Sequence, residues 1–320
     1  MIITFTPNPA LDKTVYVDNL EPGALNKITR SVSSAGGKGI NGSGTLKMLG
    51  KESTATGLLA GSVGKMIATD VKARKIDSVW TFIDGETRTN MKIVDSTGCL
   101  TELNEPGPDV SVADWGKVRK TLAYAIINSS DDKKIIGIAG SFPPSVTPKM
   151  AYELVTELKS LGAKVFLDTS GAHFKEAILA GAHVVKPNAF ELSEFYGLNE
   201  ADLDQNELIA LAKKFRKEYN VTTLALSCGA KGAIFACQDK VYVANGIDLE
   251  DLGFCVKSSV GAGDSMFATL MYGEDSSLTD QETFKLSVAV SAATCTTLGT
   301  EPPSRALVDK LLSVVKLEEF

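Results

Sequence analysis

Residues 148–168 read P-K-M-A-Y-E-L-V-T-E-L-K-S-L-G-A-K-V-F-L-D, a helix over 148–161 that runs into a strand over 164–168. Upstream, a helix near 112–128 leads to a strand over 134–139. Downstream, a short helix at 174–179 precedes a strand at 183–186, and a helix at 207–219 precedes a strand at 223–227. This rhythm predicts βαβ units and a mostly parallel sheet. Near the start, 2–6 is a β-rich run ended by Pro7 and Pro9, which suits a central strand delivering the chain to a loop. Asp12 falls just past that edge, where open α/β sheets place ligand contacts.

Two pieces break the rhythm. Residues 14–18 and 28–33 read as strands about the turn at 21–23; the glycine-rich 34–39 and a helix over 40–49 follow. Residues 80–83, 88–94 and 99–103 are short alternating strands with turns at 84–85 and 96–98. The expected fold class is α/β, a mostly parallel core over 1–10, 35–76 and 105–320 with a small β-sheet lid from 11–34 and 77–104.

Apolar residues make up 44% of the 320 and charged residues 22%, enough for a sizeable core. The net charge of −6 argues against a nucleic-acid surface. Five cysteines without a C-x-x-C pair read as reduced thiols. No apolar run reaches membrane-spanning length, and the first residues lack the basic flank of a signal peptide. The expected location is cytoplasmic.

Chemistry concentrates in four stretches. In 256–273, V-K-S-S-V-G-A-G-D-S-M-F-A-T-L-M-Y-G, Gly261, Gly263 and Asp264 stand where a polar segment gives way to an apolar helix. Free N–H groups and the positive end of the helix dipole make an anion site there. A carboxylate beside it suits a general base; the plainer reading is a helix cap. In 36–42, Gly37, Gly39 and Gly42 match G-x-G-x-x-G, but not at the first βα turn and with no carboxylate about 20 residues on, so a dinucleotide site is rejected. A nicotinamide oxidoreductase is accordingly the weaker reading. Lys38 and Asn41 among those glycines suit a polyol or phosphate. Arg88 is either a solvated edge charge or a bidentate phosphate contact. Asn188 and Glu191 either hold Mg²⁺ through waters or form a capping box. No Walker A motif is present, and His173 and His183 read as packing or surface residues.

Together, G-G-K-G-I-N at 36–41, K-P-N-x-x-E at 186–191, S-x-G-x-x-G at 227–232 and V-G-A-G-D-S at 260–265 resemble the signature series of the ribokinase-like (PfkB-type) carbohydrate kinases, from Met1 to about Gly299. T-P-N-P-A-L-D at 6–12, G-E-T-R-T-N-M-K-I at 85–93 and D-T-S-G at 168–171 are similar to the 1-phosphofructokinase branch, with tagatose-6-phosphate kinases as neighbours. The resemblance implies a three-layer core, with ATP and Mg²⁺ on that core and a sugar phosphate under the lid. Asp264 then becomes the base, with Gly261, Ala262 and Gly263 as the anion hole. Lys186, Asn188 and Glu191 serve the Mg–ATP phosphates; Ser227, Gly229, Gly232, Ser258 and Val260 line the nucleotide. Asp12, Gly37, Lys38, Asn41, Arg88, Asn90 and Ser141 face the sugar phosphate, with Lys38 and Arg88 on its phosphate. The implied reaction is ATP-dependent phosphorylation of a ketohexose phosphate, fructose 1-phosphate ahead of tagatose 6-phosphate and of an unphosphorylated sugar. A non-catalytic sensor would have no use for Asp264. Related kinases also suggest a homodimer through the lid. Gly42 and Gly44 depart from the family's bulkier residues, at about 1 kcal/mol for each glycine in a helix interior.

Overall fold

The computed structural model describes residues 1–238 and 240–320. In chain order the first half runs β1 (Ile2–Thr6), β2 (Ala10–Tyr16), β3 (Arg30–Gly36), α1 (Lys38–Met48), β4 (Thr54–Ala60), α2 (Gly61–Ala73), β5 (Asp77–Ile83), β6 (Arg88–Val94) and β7 (Leu100–Asn104). It continues with α3 (Val112–Ile127), β8 (Ile135–Ala139), α4 (Pro148–Ser160), β9 (Lys164–Asp168), α5 (Gly171–Leu179), β10 (Val184–Val185) and α6 (Ala189–Phe195). Then come α7 (Gln205–Glu218), β11 (Thr223–Ser227), β12 (Gly232–Cys237), β13 (Lys240–Asn245), α8 (Ala262–Asp275), α9 (Asp280–Thr294), α10 (Arg305–Leu312) and β14 (Leu317–Glu319).

Ten strands form one sheet in the order β14-β13-β12-β11-β10-β9-β8-β1-β4-β5. From β11 to β5 every pairing is parallel; β12, β13 and β14 add an antiparallel edge. Side-chain alternation splits the strands between two cores. Ile3 and Phe5 of β1 pack with Trp115 of α3, Leu154 of α4 and Phe215 of α7. Ile2 faces the other way, with Leu46 of α1, Phe267 of α8, Phe284 of α9 and Leu311 of α10. The result is helix, sheet, helix. The chain leaves β1 toward β4 on one side and returns to β8 on the other, so a switch point lies at the C-terminal edge of β1, where such sheets bind ligands. No helix of the described residues is long and apolar enough to cross a membrane.

The remaining strands form a second sheet, β3-β2-β6-β7, in which β2 pairs with β6 in parallel. Two expected boundaries are corrected. Residues 77–83 belong to the large sheet as β5, paired with β4, so the second inserted piece starts beyond Ile83. As an edge strand β5 exposes one face and alternates like a hairpin strand, hence the misreading. Strand β2 begins at Ala10 and β3 runs on to Gly36, because Ala10 pairs with both Gly36 and Arg88. Asp12 therefore lies inside β2, opposite Asn90, and not on the loop after β1.

Helix α8 lies against the middle of the large sheet, and Gly137 of β8 makes that approach possible. A Cβ there would fall 2.5 Å from Met271 Sδ and 2.9 Å from Phe267 Cε1. Gly137→Ala should therefore lower stability by about 1–3 kcal/mol through overpacking, read as an earlier urea or thermal midpoint. An unchanged midpoint would mean that α8 can lift from the sheet freely.

Candidate active site

Helix α8 starts at Gly261, which takes a left-handed conformation at φ 84° that favours glycine. The Ala262 N–H is spent on Ser259 O at 3.3 Å, and Ser265 N–H closes the first helical bond onto Gly261 O at 2.9 Å. Among the described residues the N–H groups of Gly261, Gly263 and Asp264 have no partner. Of the expected anion hole at Gly261–Gly263, the Ala262 N–H is therefore spent, those of Gly261 and Gly263 stay available, and that of Asp264 joins them. The preceding turn is held by Ser258, whose Oγ accepts from Val260 N–H at 3.1 Å, and by Cys295 O, which accepts from Lys257 and Ser258.

Asp264 is buried, and Asn41 of α1 donates Nδ2–H to its Oδ2 at 2.8 Å. Burial raises the Asp264 carboxyl above its ordinary range, with Asp168 adding to the rise while Lys38 and the Asn41 hydrogen bond oppose it. A raised carboxylate is a better proton acceptor. The α1–α8 approach relies on small residues. A Cβ on Gly42 would lie 3.6 Å from Ala268 Cβ, and one on Gly44 3.2 Å from Pro302 Cγ. Gly42 thus faces α8 at ordinary contact distance, while Gly44 faces the segment before α10. Thr45 Oγ1, Ser265 Oγ and Thr294 Oγ1 continue the contact as a buried hydroxyl chain, at 3.1 and 2.8 Å.

The lysines are organised by a residue the sequence analysis gave no role. Asp168, at the end of β9, is 1% exposed; its Oδ1 accepts from Lys38 Nζ at 2.9 Å and its Oδ2 lies 3.3 Å from Lys186 Nζ. Burial alone would raise Asp168, but Lys186 and Lys38 hold it below the ordinary carboxylate range. Burial alone would depress the Lys38 ammonium, but Asp168, with Asp264 and Glu191, holds it above its ordinary range. A Cβ on Gly263 would lie 3.3 Å from Lys186 Nζ, so that ammonium overhangs the open N-terminus of α8.

Across the switch point, Arg88 opens β6. Its Nε and Nη2 donate to Asn8 O at 3.2 and 3.0 Å, its Nη2 also to Ser141 Oγ at 3.3 Å, and its Nη1 to Glu105 O at 3.4 Å. It forms no ion pair among the described residues, and burial lowers it from its ordinary range despite Asp12. Asn90 Nδ2 donates to Asp12 Oδ1 at 3.1 Å across the β2–β6 ladder. Buried acceptors without a partner cluster here: Asn41 Oδ1 and Asn90 Oδ1. Gly37 is fixed by space, since a Cβ would meet Thr6 Cγ2 at 2.6 Å.

On the other flank, Asn188 Oδ1 accepts from Glu191 N–H at 2.7 Å and Glu191 Oε2 from Asn188 N–H at 2.8 Å, a capping box on α6. Glu191 Oε1 has no protein hydrogen-bond partner among the described residues. Ser227 bridges to Asn188 at the end of β11. Gly229 starts the turn that leads into β12, and a Cβ on Gly232 would lie 2.0 Å from Ala244 O. His173 stacks on Phe142 and His183 faces Glu274; both are packing residues, as expected.

The structure thus brings Lys38, Asn41, Lys186 and Asp264 together and sets Arg88, Ser141, Asp12 and Asn90 opposite them. Asp168 and Asn8 were missed as site residues. The one available signal was their place, each beside the C-terminal end of an apolar strand.

The pfkB family carbohydrate kinase profile matches residues 8–307. The chain is 33% identical to the 1-phosphofructokinase of Bacillus subtilis over 99% of both chains, and 30% identical to that of Haemophilus influenzae over 99% of this chain and 97% of the other. In three dimensions it is similar to phosphofructokinase-2 of Escherichia coli, with a TM-score of 0.89 at 22% identity and 98% of each chain covered, a likeness that speaks for the ribokinase-like fold. Motif order, sheet topology and full-length similarity agree: the chain belongs to the pfkB family of carbohydrate kinases.

Proposed function

We propose that the chain transfers the γ-phosphoryl group of ATP to the free primary hydroxyl of fructose 1-phosphate, giving fructose 1,6-bisphosphate. The observation that carries this reading is the spacing of charge. A base and two ammonium groups gather at the N-terminus of α8, while Arg88, without a counter-ion among the described residues, is held by Asn8 O and Ser141 Oγ beside the ends of β1 and β8. The two curated relatives, both named 1-phosphofructokinase, support the choice of sugar.

Asp264 accepts the proton as the acceptor hydroxyl attacks in line, and Asn41 orients its carboxylate. The N–H groups of Gly263 and Asp264 receive charge that develops on the transferring group. Lys186 and Lys38 flank the same place. Lys38, expected on the sugar's phosphate, is paired with Asp168, which holds its ammonium in place beside Lys186. Arg88 and Ser141 take the phosphate already on the sugar; Asp12 and Asn90 take its hydroxyls from the small sheet, which serves as a lid. Ser227, Gly229, Gly232, Ser258 and Val260 line the nucleotide. Asn188 and Glu191 hold Mg²⁺ through waters, and the ion, when bound, neutralises phosphate charge.

Fructose 1-phosphate and tagatose 6-phosphate, offered at equal concentration with Mg–ATP and resolved by retention time, should show dominant consumption of the former. Dominant consumption of tagatose 6-phosphate would change the substrate and leave the chemistry. Asp264→Asn should lower kcat by about 10²–10⁴-fold with ATP binding retained. Near-normal turnover in the purified variant would reduce Asp264 to a structural residue.

We propose further that two copies pair through the small sheet, whose outer strands leave Val32, Leu100 and Leu103 about half exposed. Light scattering after gel filtration should give twice the chain mass, and Val32→Asp with Leu103→Asp should halve it. A monomeric wild type would end that idea.

A further inference from the structure

Arg88 is the first residue of a strand of the small sheet and pairs with Ala10 there, yet its side chain is also held by Asn8 and Ser141, on the loops that follow β1 and β8 of the large sheet. Its neighbour Thr87 is tied to the end of β4: Thr87 N–H and Oγ1–H both donate to Ala60 O, at 3.1 Å each, and Ala60 N–H donates to Thr87 Oγ1 at 2.7 Å. One residue earlier, Glu86 places its carboxylate on the N-terminus of α2. It accepts from Val63 N–H at 2.6 Å and from Ser62 Oγ–H at 3.2 Å. An anion there is favoured by the helix dipole. Gly61 makes the space, since a Cβ would fall 2.3 Å from the Glu86 carboxylate.

The side chain is held just as firmly. Two of its nitrogens meet at one carbonyl, Asn8 O, directly after β1. Asn8 is 3% exposed, and its own Nδ2–H donates to Pro106 O at 2.9 Å. A Cβ on Gly107 would lie 2.3 Å from Asn8 Oδ1, so a glycine at that position lets the Asn8 side chain tuck beneath the chain returning from β7. These partners are neutral: they aim the guanidinium without cancelling its charge. An arginine ordered in advance spares the complex the cost of ordering it on binding.

From these contacts we infer that Asn8 and Glu86 are positioning residues that fasten Arg88 to the large sheet. The phosphate of the substrate then meets a preformed anchor where β6 leaves the large sheet, two residues before Asn90. The inference rests on the reading above, that Arg88 takes the sugar's phosphate.

The test is steady-state kinetics of the full chain, with KM measured separately for fructose 1-phosphate and for ATP. The proteins are wild type, Asn8→Ala, Glu86→Ala, Arg88→Ala and the doubles with Arg88→Ala. Arg88→Ala should raise the sugar KM about ten- to a hundredfold. Asn8→Ala and Glu86→Ala should each raise it about three- to tenfold, with the ATP KM and kcat within about twofold, and should add nothing in the Arg88→Ala background. Glu86 is at the surface, so its variant keeps the test available if buried Asn8→Ala folds poorly. If Arg88→Ala has its effect while the others do nothing, or act equally in its absence, the positioning role is overturned and the phosphate site stands. If Arg88→Ala leaves the sugar KM unchanged, the phosphate site falls and this inference with it.

Discussion

Two ammonium groups share one buried carboxylate, and the rest of the site is arranged around that arrangement. An unpaired carboxylate in the position of Asp168 would carry a large desolvation cost, and so would a buried Lys186. Together with Lys38 they relieve one another, and the mutual attraction draws in the ends of β9 and β10 and the start of α1. Counting Asp264, two negative and two positive side chains meet there, so they balance before any ligand arrives. A polyphosphate entering such a place brings charge that only the α8 N-terminus and an accompanying cation can offset. The free oxygen of Glu191 and the exposed N–H groups of Gly263 and Asp264 fit that need.

The second constraint is steric. Gly42 of α1 sits against Ala268 and Gly137 of β8 beneath Met271, so α8 meets a small residue on each of two neighbours. A glycine-containing helix is a poor choice by propensity. In α1 it carries Asn41, which meets Asp264 across a separation of 223 residues in the chain.

Much of this was legible in the amino-acid order. The strands at 134–139, 164–168 and 223–227 are continuous apolar runs because they are covered on both faces, and the helices between them show their period. Strand β5 was misassigned because an edge strand alternates in the same way as a lid strand. Helix α9 is buried over much of its circumference, from Thr283 to Thr294. The glycine-rich motifs pointed to the site, whereas the pairing of Lys38 with Asp168 did not show. Nothing local in the chain says which of several phosphate-seeking lysines will meet a carboxylate 130 residues away. Asn8 was hidden for another reason: it acts through its backbone carbonyl, which every residue has.

The hydrogen bond from Asn41 to Asp264 has a cost as well as a use. Both partners lie on helices locked together, so the base points the same way whether or not a sugar is present. On the proposed reading, everything needed for transfer to a hydroxyl is assembled in advance, and the most abundant hydroxyl in a cell belongs to water. Such a site leaks. On that reading, each interval in which ATP is bound without a sugar permits wasteful hydrolysis. Thrift with ATP must then come from timing, from how briefly the nucleotide waits alone, and not from the catalytic groups themselves.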